Sequence, residues 1–376
     1  MESFPHNHHI STDHTMSIKT GIVSIISLSC YNESVKTIKD IANELGIAPS
    51  TVSRVINNSG YYSKEVGERV RKYIEDSGII LNQSAKRLRS KKSNTIGLII
   101  PDISNEFFSN IALIVDTFFS KQGYSIIICN TGSDSERELS AFNQLLANQV
   151  DGIICDAGGL SLDKSFLNYN TPVVAVDRTF NKLIPAARIY SNEFELGRQA
   201  CQILISKGCR KPKCVYRTYP FYQSDIRNAK DQFNRFQGFT EEAKASLSDW
   251  NADEAFIEIP YFRGMAVEET ERVIYSLINN GLPFDGLFCM SDNVAYGAIK
   301  ALNKANISIP EQVKVIGFDN NIYSSLSIPS ITTFDRNVDM IASTACTKLM
   351  ERIESDHKFI DEEIIINGSL IERQSC

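Results

Sequence analysis

The sequence offers almost nothing with which to catalyse a reaction. It has no GxxxxGK[ST] phosphate loop, no GxSxG elbow and no HExxH zinc helix. Outside the N-terminal tail the single histidine is His357, so general-base chemistry by imidazole has one carrier in the rest of the chain. Metal cages are missing too: there is no CxxC pair and no Cys/His cluster, and the tail residues His6, His8, His9 and His14 have no cysteine beside them. The expectation is no metal, no cofactor and no catalytic residue. Nine cysteines, an odd number, stand singly, several in apolar runs such as the one ending at Cys129, which is the pattern of reduced, buried thiols. The apolar run at 22–28 falls far short of the roughly 20 residues that cross a bilayer.

What is present is length and an uneven charge. At 376 residues the chain suits two or three domains. Its formal net charge is -6, yet residues 35–95 carry twelve Lys/Arg against six Asp/Glu, a local +6 that leaves the remainder near -12. A basic segment on an acidic molecule is a footprint for nucleic acid, because clustered cations offset phosphate repulsion while the acidic remainder resists indiscriminate binding. A merely solvated charged helix is the plainer account of the same split.

The basic segment also has a pattern. In IKDIANELGIAPSTVSRVINNSG, starting at Ile38, the residues Ile38, Ile41, Ala42 and Leu45 form one apolar stripe of a short helix. Gly46 supplies a left-handed turn, Pro49 suits the first turn of a second helix, and Val52, Val55 and Ile56 make its inward face. That leaves Ser50, Thr51, Ser53, Arg54 and Asn57 outside, and two short helices joined by a glycine turn with a polar second helix describe a helix-turn-helix. Arg54 has the fork that matches guanine O6 and N7 in the major groove, and short hydroxyls and amides suit phosphate oxygens.

The string TVSRVIN, with the IKDIANELGI before it, closely resembles the head of the LacI/GalR family of bacterial repressors. That resemblance implies that Pro49, Ser50 and Arg54 read bases and that Thr51, Ser53 and Asn57 hold the backbone. One departure is Ala48, where the family usually has Ser or Thr; alanine has no side-chain oxygen to cap a helix, a loss of roughly 1 kcal/mol. A third helix is expected after Ser63 through Val66, Val70, Tyr73 and Ile74, closed by Gly78. LNQSAKRLRSKK, 81–92, resembles the family's hinge helix, in which Asn82 caps, Ala85 packs on its dimer mate and Leu88 wedges into the minor groove. Leu81 replaces the family's common proline there. The plainer reading is a basic linker that orders only on DNA.

After Asn94 short apolar strands alternate with helical stretches: IGLIIP (96–101), YSIIIC (124–129), DGIIC (151–155) and PVVAV (172–176), with helices near 107–121 and 136–148. A second such unit is expected from ARIY, KCVYR, FIEI, GLFCM and VKVIGF, with helices near 193–206, 231–246, 264–280 and 292–304. The fold class is therefore α/β, built from doubly wound parallel sheets. The resemblance runs from Val35 to the final LIERQS. It implies an N-terminal helix-turn-helix head plus a two-lobed, periplasmic-binding-protein-like body whose last helix, near 337–354, crosses back to the first lobe. Within the family, GYYS (60–63), IGLIIPDIS and ANQVDGII are most similar to sucrose and ribose operon repressors.

The expected divisions are a disordered extension (1–34), the head (35–80), a hinge or linker (81–94) and the effector-binding and dimerisation body (95–376). Lys19 before the run at 22–28 and SLSC ending at Cys30 look superficially like a secretory leader. A DNA-binding signature directly behind it favours a dispensable extension instead, with translation starting at Met16 or at Val35.

In open α/β sheets ligands bind beyond the carboxyl ends of the strands. Those ends present Asp102, Asn105, Phe107 and Phe108, then Asp177 and Arg178, then Ser291 and Asp292, then Asp319. Arg235, in RFQGF, joins them by resemblance. Carboxylates and guanidiniums bind vicinal hydroxyls, and aromatic faces pack the C–H surface of a sugar. The ligand residues taken forward are Phe107, Phe108, Asp177, Arg178, Arg235, Asp292 and Asp319. Core packing for Phe107 or Phe108, capping for Asp292 and turn formation for Asp319 are the competing roles. The aromatic loop 217–225 suits a lid over the pocket or packing on the neighbouring helix.

The functional expectation is a cytoplasmic, non-enzymatic repressor of a carbohydrate-use operon. Its expected partners are palindromic double-stranded operator DNA, a sugar or sugar phosphate effector and a second copy in a homodimer, with no membrane. A carbon-control regulator with a phosphoprotein partner, and a sugar-binding receptor without DNA activity, are the alternatives.

Overall fold

The computed structural model describes residues 36–56, 58–77, 92–156, 170–177, 186–217, 234–260, 262, 264–355 and 361–376. The extension at 1–34, Asn57, Gly78, the hinge residues Asn82, Ala85 and Leu88, Arg178, His357 and the loop 218–225 lie outside the described residues. Two bodies make up the chain, Met1–Arg89 and Ser90–Cys376.

In the first body, helix α1 (Ile38–Leu45) begins at Thr37, whose hydroxyl accepts from the Asp40 backbone while the Asp40 carboxylate accepts from the Thr37 backbone N–H at 2.7 Å. This reciprocal cap satisfies two of the helix's orphan donors. Gly46 ends it at φ +64, a conformation that costs glycine nothing. Helix α2 (Pro49–Ile56) and helix α3 (Lys64–Ser77) complete the head. Ile41, Ala42, Val52, Val55 and Val70 are buried together at their junction. Ala48 offers α2 only its backbone carbonyl, which accepts from Thr51 and Val52.

The second body holds two six-stranded sheets. The first contains β1 (Thr95–Ile100), β2 (Ser125–Asn130), β3 (Gly152–Cys155), β4 (Val173–Val176), β5 (Ala187–Ser191) and β11 (Glu362–Ile366), in the order β11-β5-β4-β3-β1-β2. Each neighbouring pair is parallel. Helices α4 (Glu106–Ser120) and α11 (Val338–Glu354) cover one face through Phe107, Ile111, Val115, Ile341 and Leu349, and α5 (Ser135–Ala147) covers the other through Phe142 and Leu145. Coverage on both faces is why β1, β3 and β4 read as unbroken apolar runs.

The second sheet contains β6 (Pro212–Arg217), β7 (Phe256–Ile259), β8 (Gly286–Cys289), β9 (Lys314–Phe318), β10 (Thr332–Asp335) and β12 (Ser369–Ile371), in the order β12-β10-β9-β8-β6-β7. All pairs are parallel except β10 with β12. Helices α6 (Glu193–Ser206) and α7 (Asn234–Ser246) pack on one face. Helices α8 (Ala266–Asn279) and α9 (Asp292–Lys304) pack on the other, and the short α10 (Ile322–Leu326) follows β9.

One expectation needs correction. ARIY does not open the second unit; as β5 it pairs with β4 and β11 in the first sheet, and the chain changes lobe only afterwards, into α6. Periodicity tells a strand from a helix but not which sheet receives it. Two further crossings follow, from β10 into α11 and from β11 into β12.

Candidate functional site

Two regions carry chemistry. On the head, the buried Val52 and Val55 turn the opposite side of α2 outward, so Pro49, Ser50 and Arg54 are exposed and Thr51 and Ser53 are half-exposed. The stem of Arg54 runs back over Gly60, its Cδ 3.4 Å from where a Cβ would stand. Beside it Tyr61 is 88% exposed, an aromatic presented to solvent rather than to the head's core. Tyr62 instead closes the turn, donating to Asn58 Oδ1 at 2.6 Å and accepting from Arg71 at 3.1 Å.

In the second body the strand ends of both sheets converge on a cluster of charge. Its centre is Arg336, immediately after β10 and almost fully buried. Its Nη2 pairs with Asp177 and, at 3.1 Å, with Glu193; Nη1 donates to Asp319 at 3.4 Å and Nε to Ser191 at 3.3 Å. The guanidinium lies 3.9 Å from the centroid of the Phe107 ring. Burial pushes this arginine down to about 9, with Asp156 opposing the shift, so it remains a cation at neutral pH.

Arg235 forms the second centre. Its Nε and Nη2 both donate to Glu193, Nη1 donates to the Met290 carbonyl at 2.8 Å, and the guanidinium stacks 3.8 Å over the Phe318 ring. Glu193 is thus held between two guanidiniums. Burial raises the Asp319 carboxyl to about 7; Arg235 pulls it down, and Glu193, Asp335 and Glu106 add to the rise.

The expected ligand residues therefore separate. Arg235, Asp177, Asp319 and Phe107 come together around Arg336 and Glu193. Phe107 and Phe108 both belong to the core of the first lobe, edge-on to each other at 5.2 Å, and Phe107 also carries the Arg336 guanidinium on its ring. Asp292 is fully buried, accepting from the Thr333 hydroxyl at 2.6 Å and the Asn321 N–H at 2.8 Å, and burial raises its carboxyl well above the usual range. Both its oxygens are spent tying β10 and the start of α10 to α9.

Nothing in the sequence marks Glu193, which looks like an ordinary first-turn acid favoured by the helix dipole. Arg336 has a usable signal, since it stands at the carboxyl end of a strand, TTFD, once that strand is recognised. Across the cleft Glu106 Oε2 accepts from the Ile322 N–H at 2.9 Å, so an α4 side chain of the first lobe grips the first turn of α10 in the second.

Among the described residues no group of His, Cys, Asp or Glu side chains is placed to hold a metal ion, and no helix is long and apolar enough to cross a membrane. The described cysteines are free thiols, all buried but Cys129, which is partly so.

Comparison with known proteins agrees with this geometry. Residues 37–80 match the family described as bacterial regulatory proteins, lacI family, and residues 201–376 match a periplasmic binding protein-like domain. The chain is 31% identical over 324 residues to the ribose operon repressor of Halalkalibacterium halodurans, covering 85% of this chain and 90% of that protein. It is 30% identical over 344 residues to the sucrose operon repressor of Streptococcus mutans serotype c, covering 91% and 99%. Among solved structures it is similar to a periplasmic binding protein/LacI transcriptional regulator from Alkaliphilus metalliredigens complexed with D-xylulofuranose. That match has 30% identity and a TM-score of 0.63, over 75% of this chain and 99% of that one.

Proposed function

The chain belongs to the LacI family of bacterial regulatory proteins, and on that premise we propose that it is a cytoplasmic repressor of a carbohydrate-use operon, released from or held on its operator by a sugar-class effector. The observation that carries this reading is the joint presence of an exposed polar recognition face on α2 and a buried acid–guanidinium–aromatic cluster at the strand ends of a two-lobed body. The two features serve different ligands, so one chain couples them.

On the DNA side Arg54 reads a base edge with Pro49 and Ser50, while Thr51, Ser53 and Asn57 hold phosphates. Leu88 wedges into the minor groove, with Asn82 and Ala85 serving the same hinge as cap and dimer contact. On the effector side Arg235, Asp177 and Asp319 hydrogen-bond the ligand, together with Arg178, and Phe107 and Phe108 back them. Asp292 shapes the wall from beneath. Glu193 and Arg336 join the site.

Two copies act together. Leu113 on α4, Ile127 and Ile128 on the edge strand β2, and Leu326 and Ile328 in and after α10 are apolar and exposed, and a second copy covers them. A two-fold dimer reads a palindrome, and a ligand with different affinity for two lobe arrangements shifts DNA affinity by that difference. The chain catalyses no reaction in this role; its relatives are named as repressors.

Selection of bound fragments from the source genome tests the reading. The expected result is a small set of palindromic sites, bound with at least tenfold altered affinity when a sugar is added. No preference for any duplex at about 0.15 M salt, with or without sugars, would falsify it.

A further inference from the structure

Among the described residues two guanidiniums meet at the strand ends, and most of their N–H groups are committed. Arg235 gives Nε and Nη2 to Glu193 and Nη1 to a carbonyl; Arg336 gives Nη2 to Asp177 and Glu193, Nη1 to Asp319 and Nε to Ser191. Their flat faces are committed as well, Arg235 to Phe318 and Arg336 to Phe107. Against these two cations stand the carboxylates Asp177 and Glu193, joined by Asp319, an acid that burial raises to about 7, and the charge of Asp156 also reaches Arg336. Among the described residues the cluster is therefore acceptor-rich, with few guanidinium protons left for an incoming anion.

That balance treats two kinds of ligand differently. A phosphate monoester carries about -1.5 to -2 charges at neutral pH. To reach either guanidinium it has to lie beside the carboxylates already paired there, in a buried setting where like charges repel strongly. A neutral polyol brings hydroxyl donors. A carboxylate has more lone pairs than one guanidinium fills, so hydroxyls bond to Asp177, Glu193 and Asp319 without breaking the ion pairs.

Resting on the effector-site reading above, we infer that this cleft selects uncharged polyhydroxy ligands against their phosphorylated counterparts, and that Asp177 and Glu193 set the preference. They neutralise the two guanidiniums on the ligand side; removing their charge leaves Arg235 and Arg336 open to an anion.

The test uses full-length protein and matched pairs of neutral sugar and monophosphate: D-ribose and D-ribose 5-phosphate, D-fructose and D-fructose 6-phosphate, sucrose and sucrose 6-phosphate. Calorimetry gives affinity, and fluorescence anisotropy on the selected operator gives the response. The expected result is that a neutral member binds and its phosphate binds at least tenfold more weakly. Binding by a phosphate alone overturns the inference and leaves the effector reading standing. Silence from every member, in both assays, removes the effector reading and the inference with it.

Asp177→Asn and Glu193→Gln, singly and together, supply the second arm. The neutral-to-phosphate affinity ratio is expected to fall about threefold in each single variant and tenfold or more in the double. An unchanged ratio in variants that keep their melting transition and operator affinity overturns the assignment to these two residues.

Discussion

Gly197 on α6 lies against the backbone of Arg235 on α7 so closely that a Cβ at Gly197 would stand 1.7 Å from the Arg235 carbonyl oxygen. The contact is reciprocal, since a Cβ at Gly238 would stand 1.9 Å from the carbonyl oxygen of Phe194. Glu193 and Gly197 are four residues apart on one face of α6, and Arg235 and Gly238 three apart on α7. Backbone contact at the glycines therefore delivers the Arg235 guanidinium to the Glu193 carboxylate. Gly197→Ala is expected to force the helices apart, costing about 3 kcal/mol or more and weakening effector affinity at least tenfold. Thermal unfolding and calorimetry measure the two effects, and wild-type affinity in a destabilised variant removes the positioning role.

How far the sequence foretells this arrangement differs from element to element. Strands β1, β3 and β4 are legible because helices cover both faces, leaving runs with no polar interruption. Strand β11, EEIII, lies at a sheet edge and alternates half-buried with exposed residues, while β10, TTFD, is short and buries two threonines, so neither shows the unbroken apolar run that marks β1, β3 and β4. Losing β10 loses Arg336, because a search of strand ends is only as complete as the list of strands. Phe107 is recognisable as an aromatic near the cleft, yet the side chain that covers its ring comes from 229 residues further along the chain. Arg54 needs no such distant partner: the apolar stripe of its own helix fixes which way it faces.

Asp319 makes stability depend on pH near neutrality. Burial first of all holds its carboxyl up at about 7, while the unfolded chain titrates near 3.9. The folded state thus binds this proton more readily, and the stability it contributes is fully present below the unfolded value and lost as pH rises through about 7. Between pH 8 and pH 6 the body is expected to gain about 1 kcal/mol from this group; the carboxyl of Asp292, also raised by burial, acts in the same direction. Asp40, Glu195 and Glu271 have lowered values and act only in more acid solution. Thermal melts at both pH values check the sign, and Asp319→Asn is expected to flatten the difference; a slope unaltered in that variant assigns it elsewhere.

Arg54→Ala and Arg235→Ala are expected to fail in opposite ways. Loss of the Arg54 fork removes discrimination worth roughly 1–3 kcal/mol at one base pair of each half-site, leaving sugar affinity untouched. Loss of Arg235 leaves Glu193 to Arg336 alone and opens the face of Phe318, abolishing the effector response while operator binding persists. Anisotropy against operator and scrambled duplexes, with and without the sugar, reads both variants. An Arg54→Ala protein that still prefers its operator by the wild-type factor disproves base reading by that residue.

The exposed apolar residues give the last expectation. Leu113 on α4 is 64% exposed and Ile128 on β2 is 46% exposed, on two elements packed against each other in the first lobe. An edge strand with isoleucines in solvent has unpaired backbone groups and invites association. Leu326 and Ile328 at 70% and 83% offer a second apolar patch in the other lobe. A charge in each patch, Leu113→Glu or Leu326→Glu, is expected to weaken dimerisation at least tenfold in analytical ultracentrifugation with little change in melting temperature, since neither side chain is part of a core. Because two linked heads share one palindrome, operator affinity should fall with the dimer while affinity for an isolated half-site holds. A dimer undisturbed by both charges places the interface on other surfaces; one disturbed only by Leu113→Glu assigns it to the first lobe.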